Sequence, residues 1–194
     1  MKNTFAKIIR IISVPPVMIT FLLVILNTTR PDIFRNNVEV LTSIILLGIV
    51  PVLAYPFQLL LSSSLEDRGR IMQRKLAFIF SLIGYATALL WAILVHTSKE
   101  LLMICATYFI SVVILTFFNK VLKKKASGHA CSITGPLVFL VYLVDWKLIF
   151  PCLIIATLIF WSSLYLQRHT KTDLFYGILS CLFAFALSFI IIIH

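Results

Sequence analysis

The sequence predicts an all-α protein, a polytopic bundle of six to seven transmembrane helices. Of its 194 residues, 61% are hydrophobic and only 12% are charged, whereas about a quarter of the residues in a soluble domain are charged. Several apolar stretches reach or approach the roughly 20 residues that a helix needs to cross the hydrocarbon core. They lack the period-two alternation of a transmembrane barrel, so helices are the expected way to satisfy the backbone in lipid.

Apolar runs between polar breaks define seven candidate spans in a single membrane domain over 1–194. They lie at about 8–27, 39–62, 74–97, 100–121, 129–144, 147–166 and 173–193. In chain order, the breaks between them are 28–38, 63–75, 98–100, 120–129, 145–147 and 167–173. Pro15-Pro16 predicts a kink in the first span. That span is expected to stay uncleaved, because no small-x-small site follows it.

Alternating spans divide the positive charge very unequally between two faces. The second face carries Arg30, Arg35, Lys99 and Lys147. The first face carries the other thirteen cations, namely Lys2, Lys7, Arg10, Arg68, Arg70, Arg74, Lys75, Lys120, Lys123, Lys124, Lys125, Arg168 and Lys171. The positive-inside rule places the first face in the cytoplasm. An anionic substrate would also need cations there, but Lys2, Lys7 and Arg10 have no evident chemical duty, which favours topology as the cause.

One polar segment of the basic face is typical of a phosphate site. It reads Lys123-Lys124-Lys125-Ala126-Ser127-Gly128-His129 and opens a predicted helix. A helix N-terminus offers unpaired N–H groups and the positive end of the dipole to an anion. Gly128 lets the backbone approach a ligand closely, and His129 can donate a proton to a departing oxygen.

A second segment of the same face pairs a histidine with a carboxylate. In Arg168-His169-Thr170-Lys171-Thr172-Asp173, His169 and Asp173 are four positions apart and would share one face of a helix. A carboxylate that fixes one ring nitrogen leaves the other nitrogen to act as a nucleophile. His129 and His169 are separated by two apolar legs, and a helical hairpin of that length returns both to the same face.

Each of these residues also has an ordinary structural interpretation. A histidine at a membrane edge is often interfacial, a lysine run is often a topological or headgroup anchor, and a Ser-Gly pair often caps a helix. His96 and His194 fit that interpretation. The four cysteines lie in apolar surroundings without metal-ligand spacing, so neither a zinc site nor a disulfide framework is expected. The joint pattern of spacing and pairing favours function for His129, His169 and Asp173.

These motifs resemble those of the type 2 phosphatidic acid phosphatases, membrane relatives of the vanadium haloperoxidases. That family has Pro-Ser-Gly-His, here Ala126-Ser127-Gly128-His129, and Ser-Arg-x5-His-x3-Asp, here Ser162-Ser163 followed at the same spacing by His169 and Asp173. The resemblance covers about 100–194, which is then the phosphatase core, with N-terminal helices in 1–99, as in short bacterial members of the family.

The resemblance implies a lipid phosphatase of the cell membrane that needs no metal or other cofactor. His169 would attack phosphorus and form a phosphohistidine, with Asp173 orienting its ring. His129 would protonate the leaving oxygen and then activate water. Ser127 and the Gly128 amide would bind phosphate oxygens.

Two departures from the family pattern concern its cations. The signature Arg of the third motif is Ser163, and the family's Lys-x6-Arg-Pro motif is missing. Cations that stabilise the transferring phosphoryl group are a large part of catalysis. We expect Lys125 and Arg168 to replace them first, with Lys124 and Lys120 next, while Arg68, Arg70, Arg74 and Lys75 are expected to form a solvated charge run.

The layout suits an amphiphilic phosphate whose tail stays in lipid. Polyprenyl diphosphate is the first expectation, because a chain with short loops has little protein to recognise an elaborate headgroup, and phosphatidic acid or phosphatidylglycerol phosphate is the second. A rival hypothesis is a catalytically weakened protein that binds or translocates an anionic lipid. A structural membrane protein with a basic collar is a third, and nucleic-acid binding is not expected.

Overall fold

The computed structural model describes residues 2–61 and 66–193, without the side chains of 59–61, 66–71, 73 and 74. The described chain is helical and contains no strand. The α-helices are α1 (Lys2–Ile12), α2 (Pro15–Thr29), α3 (Asn37–Ser43), α4 (Val50–Val52), α5 (Ala54–Leu61), α6 (Glu66–Leu94), α7 (Lys99–Thr116), α8 (Gly128–Leu143), α9 (Ile149–Tyr165) and α10 (Lys171–Ile193). Two π-helical stretches, Ile44–Ile49 and Phe117–Val121, extend α3 and α7.

Five helical segments of the described chain are long and apolar enough to cross a membrane. They are Asn37–Gln58, Lys75–Leu94, Lys99–Val121, Trp146–Tyr165 and Lys171–Ile193. The pair α1 and α2 would add a sixth if this bent pair were one span, and α8 is a shorter apolar helix. A multi-pass membrane protein is therefore confirmed, and each of the seven predicted stretches contains helix.

The first predicted span is divided into two helices that meet at an angle of 59°. Pro15 restricts Val14 to an extended conformation (φ −63°, ψ 142°), which ends α1, and its own fixed φ suits the first position of α2. The predicted kink at Pro15-Pro16 is therefore confirmed. The span predicted over 8–27 therefore consists of two helices that form a bent pair, and the first of them begins earlier than predicted, at Lys2.

The predicted loop over 63–75 is wrong in its second half, because α6 already begins at Glu66. The charged run is thus a polar extension of a membrane helix. The side chains of Arg68, Arg70 and Arg74 lie outside the described residues.

The most buried of the five long helices is α7, and α10 packs along it. α6 packs against another side of α7, whereas α8 lies against α2, α9 and α10. Large side chains at the centre of this bundle are fully buried, among them Leu22, Leu26, Met103, Ile133 and Phe139. The short helix α1 packs on α9, where Ser162 donates a hydrogen bond of 2.7 Å to the Ala6 carbonyl.

Contacts between distant segments define two opposite ends of the bundle. At one end, Lys125 contacts Asp173 and Ser13 contacts His129. At the other end, Arg30 donates to the Leu143 carbonyl at 2.8 Å, and Ser98 donates to the Ile33 carbonyl at 2.7 Å. For the described segments, this grouping agrees with the two faces predicted from the alternation of spans.

Candidate functional site

The segment that opens α8 is held by its own polar side chains. Ser127 is the N-cap, and its Oγ accepts from the Ala130 amide at 3.2 Å. The amide of Ala126 donates to Asn119 Oδ1 at 3.2 Å, which ties the turn back to α7 and its extension. The helix predicted over 129–144 begins at Gly128. Because Ser127 is only 1% exposed and caps the helix, its hydroxyl has a structural duty as well as its predicted phosphate contact.

His169 does not lie on a helix, so the predicted helical i,i+4 pair with Asp173 is wrong. The reason is that α10 starts at Lys171, with Thr170 before it in a reciprocal capping arrangement. The Thr170 amide donates to Asp173 Oδ2 at 3.2 Å, and the Asp173 amide donates to Thr170 Oγ1 at 3.1 Å. His169 precedes this cap, in the turn between α9 and α10.

The turn nevertheless brings His169 to Asp173. His169 Nδ1 lies 3.7 Å from Asp173 Oδ2, an ion-pair distance that is longer than a hydrogen bond. The same carboxylate oxygen lies 3.1 Å from Lys125 Nζ. Asp173 is 6% exposed, so a buried carboxylate is shared between a histidine and a lysine. Lys125, predicted to bind phosphate, is tied to the predicted orienting residue.

The two motif segments are joined directly through their backbones. The Ser127 amide donates to the Asp173 carbonyl at 2.9 Å. One turn along α10, Gly177 lies so close to this segment that a Cβ atom would meet the Ser127 carbonyl oxygen at 2.3 Å. Only glycine permits this approach. Gly177 is a positioning residue that no motif of the sequence identified.

His129 lies in the first turn of α8, at the end of the bundle where Lys125 contacts Asp173. Its Nε2 is 3.5 Å from Ser13 Oγ, the outer limit of a hydrogen bond. The positive charges of Arg10 and His169 act on His129. The two histidines therefore lie close enough for their charges to interact.

The other predicted cations point to different partners. Lys124 Nζ lies 3.3 Å from the Tyr176 hydroxyl and 5.5 Å from the centre of its ring. Lys120 lies over the Phe78 ring at 5.8 Å. Arg168 is exposed and its positive charge acts on Arg10. Lys124 and Lys120 are thus held by aromatic rings, whereas Arg168 stays at the site.

Arg10 lies at the site, although we assigned it no chemical role from the sequence. Ala6, Arg10 and Ser13 occur at positions i, i+4 and i+7 and share one side of α1. Ala6 contacts Ser162, and Ser13 contacts His129, so Arg10 lies between α9 and α8. The signal that identifies it is the helical spacing of these three residues, once α1 is known to be a separate helix.

Gly128 and a nearby groove provide open space beside these groups. A Cβ atom on Gly128 would meet nothing within 4 Å. An apolar cavity of about 450 Å³ starts at Pro16, one turn beyond Ser13, and runs between α2 and the π-helical stretch to Val24 and Val52, with Gly48 in its wall. The backbone is therefore open at Gly128, and an apolar groove begins one turn beyond Ser13.

Within 2–61 and 66–193, no group of three or more His, Cys, Asp or Glu residues is arranged to hold a metal ion. The four cysteines are buried free thiols, as the sequence predicted. Comparison of the chain with protein-family models, curated proteins and solved structures finds no match.

Proposed function

We propose that this protein is a membrane lipid phosphatase that works through a phosphohistidine. The observation that carries the proposal is the convergence of His129 and His169 at one end of the bundle, with Asp173 beside His169 and several cations around them. Two histidines, one beside a buried carboxylate, are the parts needed for nucleophilic attack and proton transfer. The motif resemblance to the type 2 phosphatidic acid phosphatases supports the same chemistry.

In the first step, the 3.7 Å separation between Asp173 and His169 Nδ1 closes to a hydrogen bond that Asp173 accepts, and this directs Nε2 toward phosphorus. A P–N bond forms while the P–O bond to the lipid breaks, and the departing oxygen takes a proton from His129. A bound phosphate dianion favours the protonated form of His129, because its negative charge opposes the effect of burial. His129 therefore gains its proton when substrate binds.

In the second step, water attacks the phosphohistidine. His129, neutral after the first step, accepts a proton from this water, and the P–N bond breaks to release inorganic phosphate. His169 returns to its starting state. The same residue thus serves as acid and then as base, which suits a histidine whose charge depends on the bound anion.

The proposed substrate is a lipid phosphate, with polyprenyl diphosphate first and phosphatidic acid or phosphatidylglycerol phosphate second. The groove from Pro16 to Val24 supports a long apolar tail, because it begins one turn from Ser13 and its wall is apolar. Four of its residues (Val17, Phe21, Val24 and Ile49) are exposed at the outer surface of the helices. A tail can then enter from the bilayer.

We further propose seven spans, with the site on the cytoplasmic face. The helix α2 would supply one crossing, and α8, whose 16 residues extend about 24 Å, another. The excess of Lys and Arg at the site end supports a cytoplasmic orientation.

Phosphate release from polyprenyl diphosphate by the purified protein tests the function. We expect release that H169A and H129A each reduce by at least about 10³-fold. Release unaffected by either substitution would contradict the mechanism.

A second candidate is an anionic-lipid binding or translocating protein without catalysis. The 3.7 Å separation of His169 and Asp173 and the serine at position 163 favour it. Binding of lipid phosphates without release from any of them would support this candidate instead.

A further inference from the structure

The region around Arg10 concentrates positive charge without a matching carboxylate. The charges of Arg10 and Arg168 act on each other, and that of Arg10 acts on His129. Among the described side chains, neither arginine forms an ion pair, and the nearest carboxylate of the site, Asp173, is occupied by Lys125 and His169. Like charges held together in this way create a potential that attracts an anion.

Side chains of the two packed helices α1 and α9 also carry unsatisfied polar atoms. Arg10 Nη1 and Ser163 Oγ are both buried and have no hydrogen-bond partner among the described residues. Buried polar atoms in folded proteins nearly always have a partner, and an unpaired guanidinium nitrogen is costly. A phosphate ion supplies acceptor oxygens that would satisfy the Arg10 group.

The geometry of α1 explains how Arg10 reaches this position. Ala6 is pinned to Ser162 of α9, the neighbour of Ser163, and Ser13 touches His129 of α8. Arg10 lies on the same side of α1, between these two contacts.

The opposite side of α1 is suited to a membrane surface. Phe5, Ile8, Ile11 and Ile12 are exposed, as is the cation Lys7. A short helix with apolar and basic exposed positions lies in the plane of the bilayer interface. The 59° bend before α2 permits this orientation.

We propose that Arg10 binds the phosphoryl oxygens of the substrate, and that α1 holds it there as a helix at the membrane interface. The identity of the anion as a lipid phosphate rests on the proposed function. The site therefore requires the N-terminal helix, and it recognises a phosphate at the depth of the headgroups, where α1 lies.

Binding of inorganic phosphate to the full chain in phosphatidylcholine nanodiscs, followed by calorimetry, tests the proposal without catalysis. We expect R10Q to weaken binding about tenfold or more, because a charge-assisted hydrogen-bond pair is lost. R10K keeps the charge but not the bidentate geometry and should lie between wild type and R10Q. The matched control is K7Q, which removes an exposed charge from the same helix and should bind as wild type does.

Three results would overturn the proposal: no phosphate binding by the wild type, equal binding by R10Q and wild type, or an equal loss in K7Q and R10Q. Hydrolysis of a lipid phosphate by R10Q with the wild-type KM would also overturn it while leaving the phosphatase function in place. Loss of binding in R10Q together with no hydrolysis by the wild type would support the anion site and remove the catalytic proposal.

Discussion

At the scale of single residues, Asp173 combines two duties in one carboxylate. Its Oδ2 accepts from the Thr170 amide, which caps α10, and it also contacts Lys125 and His169. The cap fixes the position of the carboxylate, and Lys125 balances its charge. The same arrangement that begins the helix therefore holds the group that orients the proposed nucleophile.

Substitutions at Thr170 and Asp173 separate these duties. Thr170→Val removes the hydroxyl that caps the Asp173 amide, so we expect a loss of about 1 kcal/mol of unfolding free energy with activity within about twofold. Asp173→Asn keeps a hydrogen-bonding side chain but loses the charge that orients the histidine, and activity should fall by at least about a hundredfold. Thermal unfolding and phosphate release on both variants provide the test. An unstable but fully active Asp173→Asn variant would reduce Asp173 to a cap.

The motif residues could be predicted from sequence, and Arg10 could not. His129, His169 and Asp173 are recognised by their spacing within short segments. That signal does not depend on the local structure: we predicted a helix at His169 and the structure has a turn, but His169 still lies near Asp173. Arg10 can be identified only when it is known which side of α1 is buried. That side depends on the bend at Val14 and on packing against α9, both of which are tertiary features.

At the scale of helices, the close contact between α10 and the start of α8 depends on Gly177. A methyl group there would overlap the Ser127 carbonyl oxygen and force the two helices apart. Because Ser127 and Asp173 are joined by a backbone hydrogen bond at the same contact, such a shift separates His129 from His169.

Gly177→Ala should therefore lower both the melting temperature and the activity. Gly84→Ala is the matched control, since its Cβ would meet the Leu46 carbonyl oxygen at 2.6 Å, away from the site. We expect both variants to melt earlier, but only Gly177→Ala to lose most of its activity at a temperature where it is still folded. Equal specific activity of the two folded variants would show that the α8–α10 contact does not position the site.

The groove between α2 and the π-helical stretch should select for a long tail. Gly48 lies in its wall, and a Cβ there would already be 3.2 Å from Thr20 Oγ1. Gly48→Leu fills the groove, so it should raise the KM for a long-chain polyprenyl diphosphate severalfold and leave a short, water-soluble prenyl diphosphate unaffected. Ile49→Leu, which keeps the side-chain volume, serves as the control. An equal loss on both substrates would place the effect on folding rather than on the tail.

Helix positions were predicted well where long apolar runs set them, as for Lys99–Val121 and Lys171–Ile193. The errors arose where hydropathy and structure differ. The amphipathic helix α1 was joined to α2 because its apolar residues continue the run, and the start of α6 was assigned to a loop because it is charged. Both helices contain polar residues beyond the apolar run. Hydropathy therefore places the end of α1 and the start of α6 wrongly.

At the scale of the whole molecule, contacts at the two ends separate the basic segments from the others. The segments around Arg10, Lys125 and His169 meet at one end, and those around Arg30 and Ser98 meet at the other. Most of the chain's +10 net charge is therefore concentrated beside the candidate site. One charge distribution can then serve both orientation in the membrane and attraction of an anionic headgroup.

Labelling with a membrane-impermeant maleimide tests this arrangement in intact cells. All four native cysteines are buried, so a cysteine introduced at an exposed position should be the main reactive thiol. Lys123→Cys and Lys7→Cys at the basic end should react only after the cells are opened, because the excess of Lys and Arg predicts a cytoplasmic location. Lys147→Cys, at the opposite end, should react in intact cells.

Labelling of Lys123→Cys but not of Lys147→Cys in intact cells would reverse the orientation and place the phosphatase site outside. Equal labelling of Lys123→Cys and Lys147→Cys would contradict the separation of the two ends.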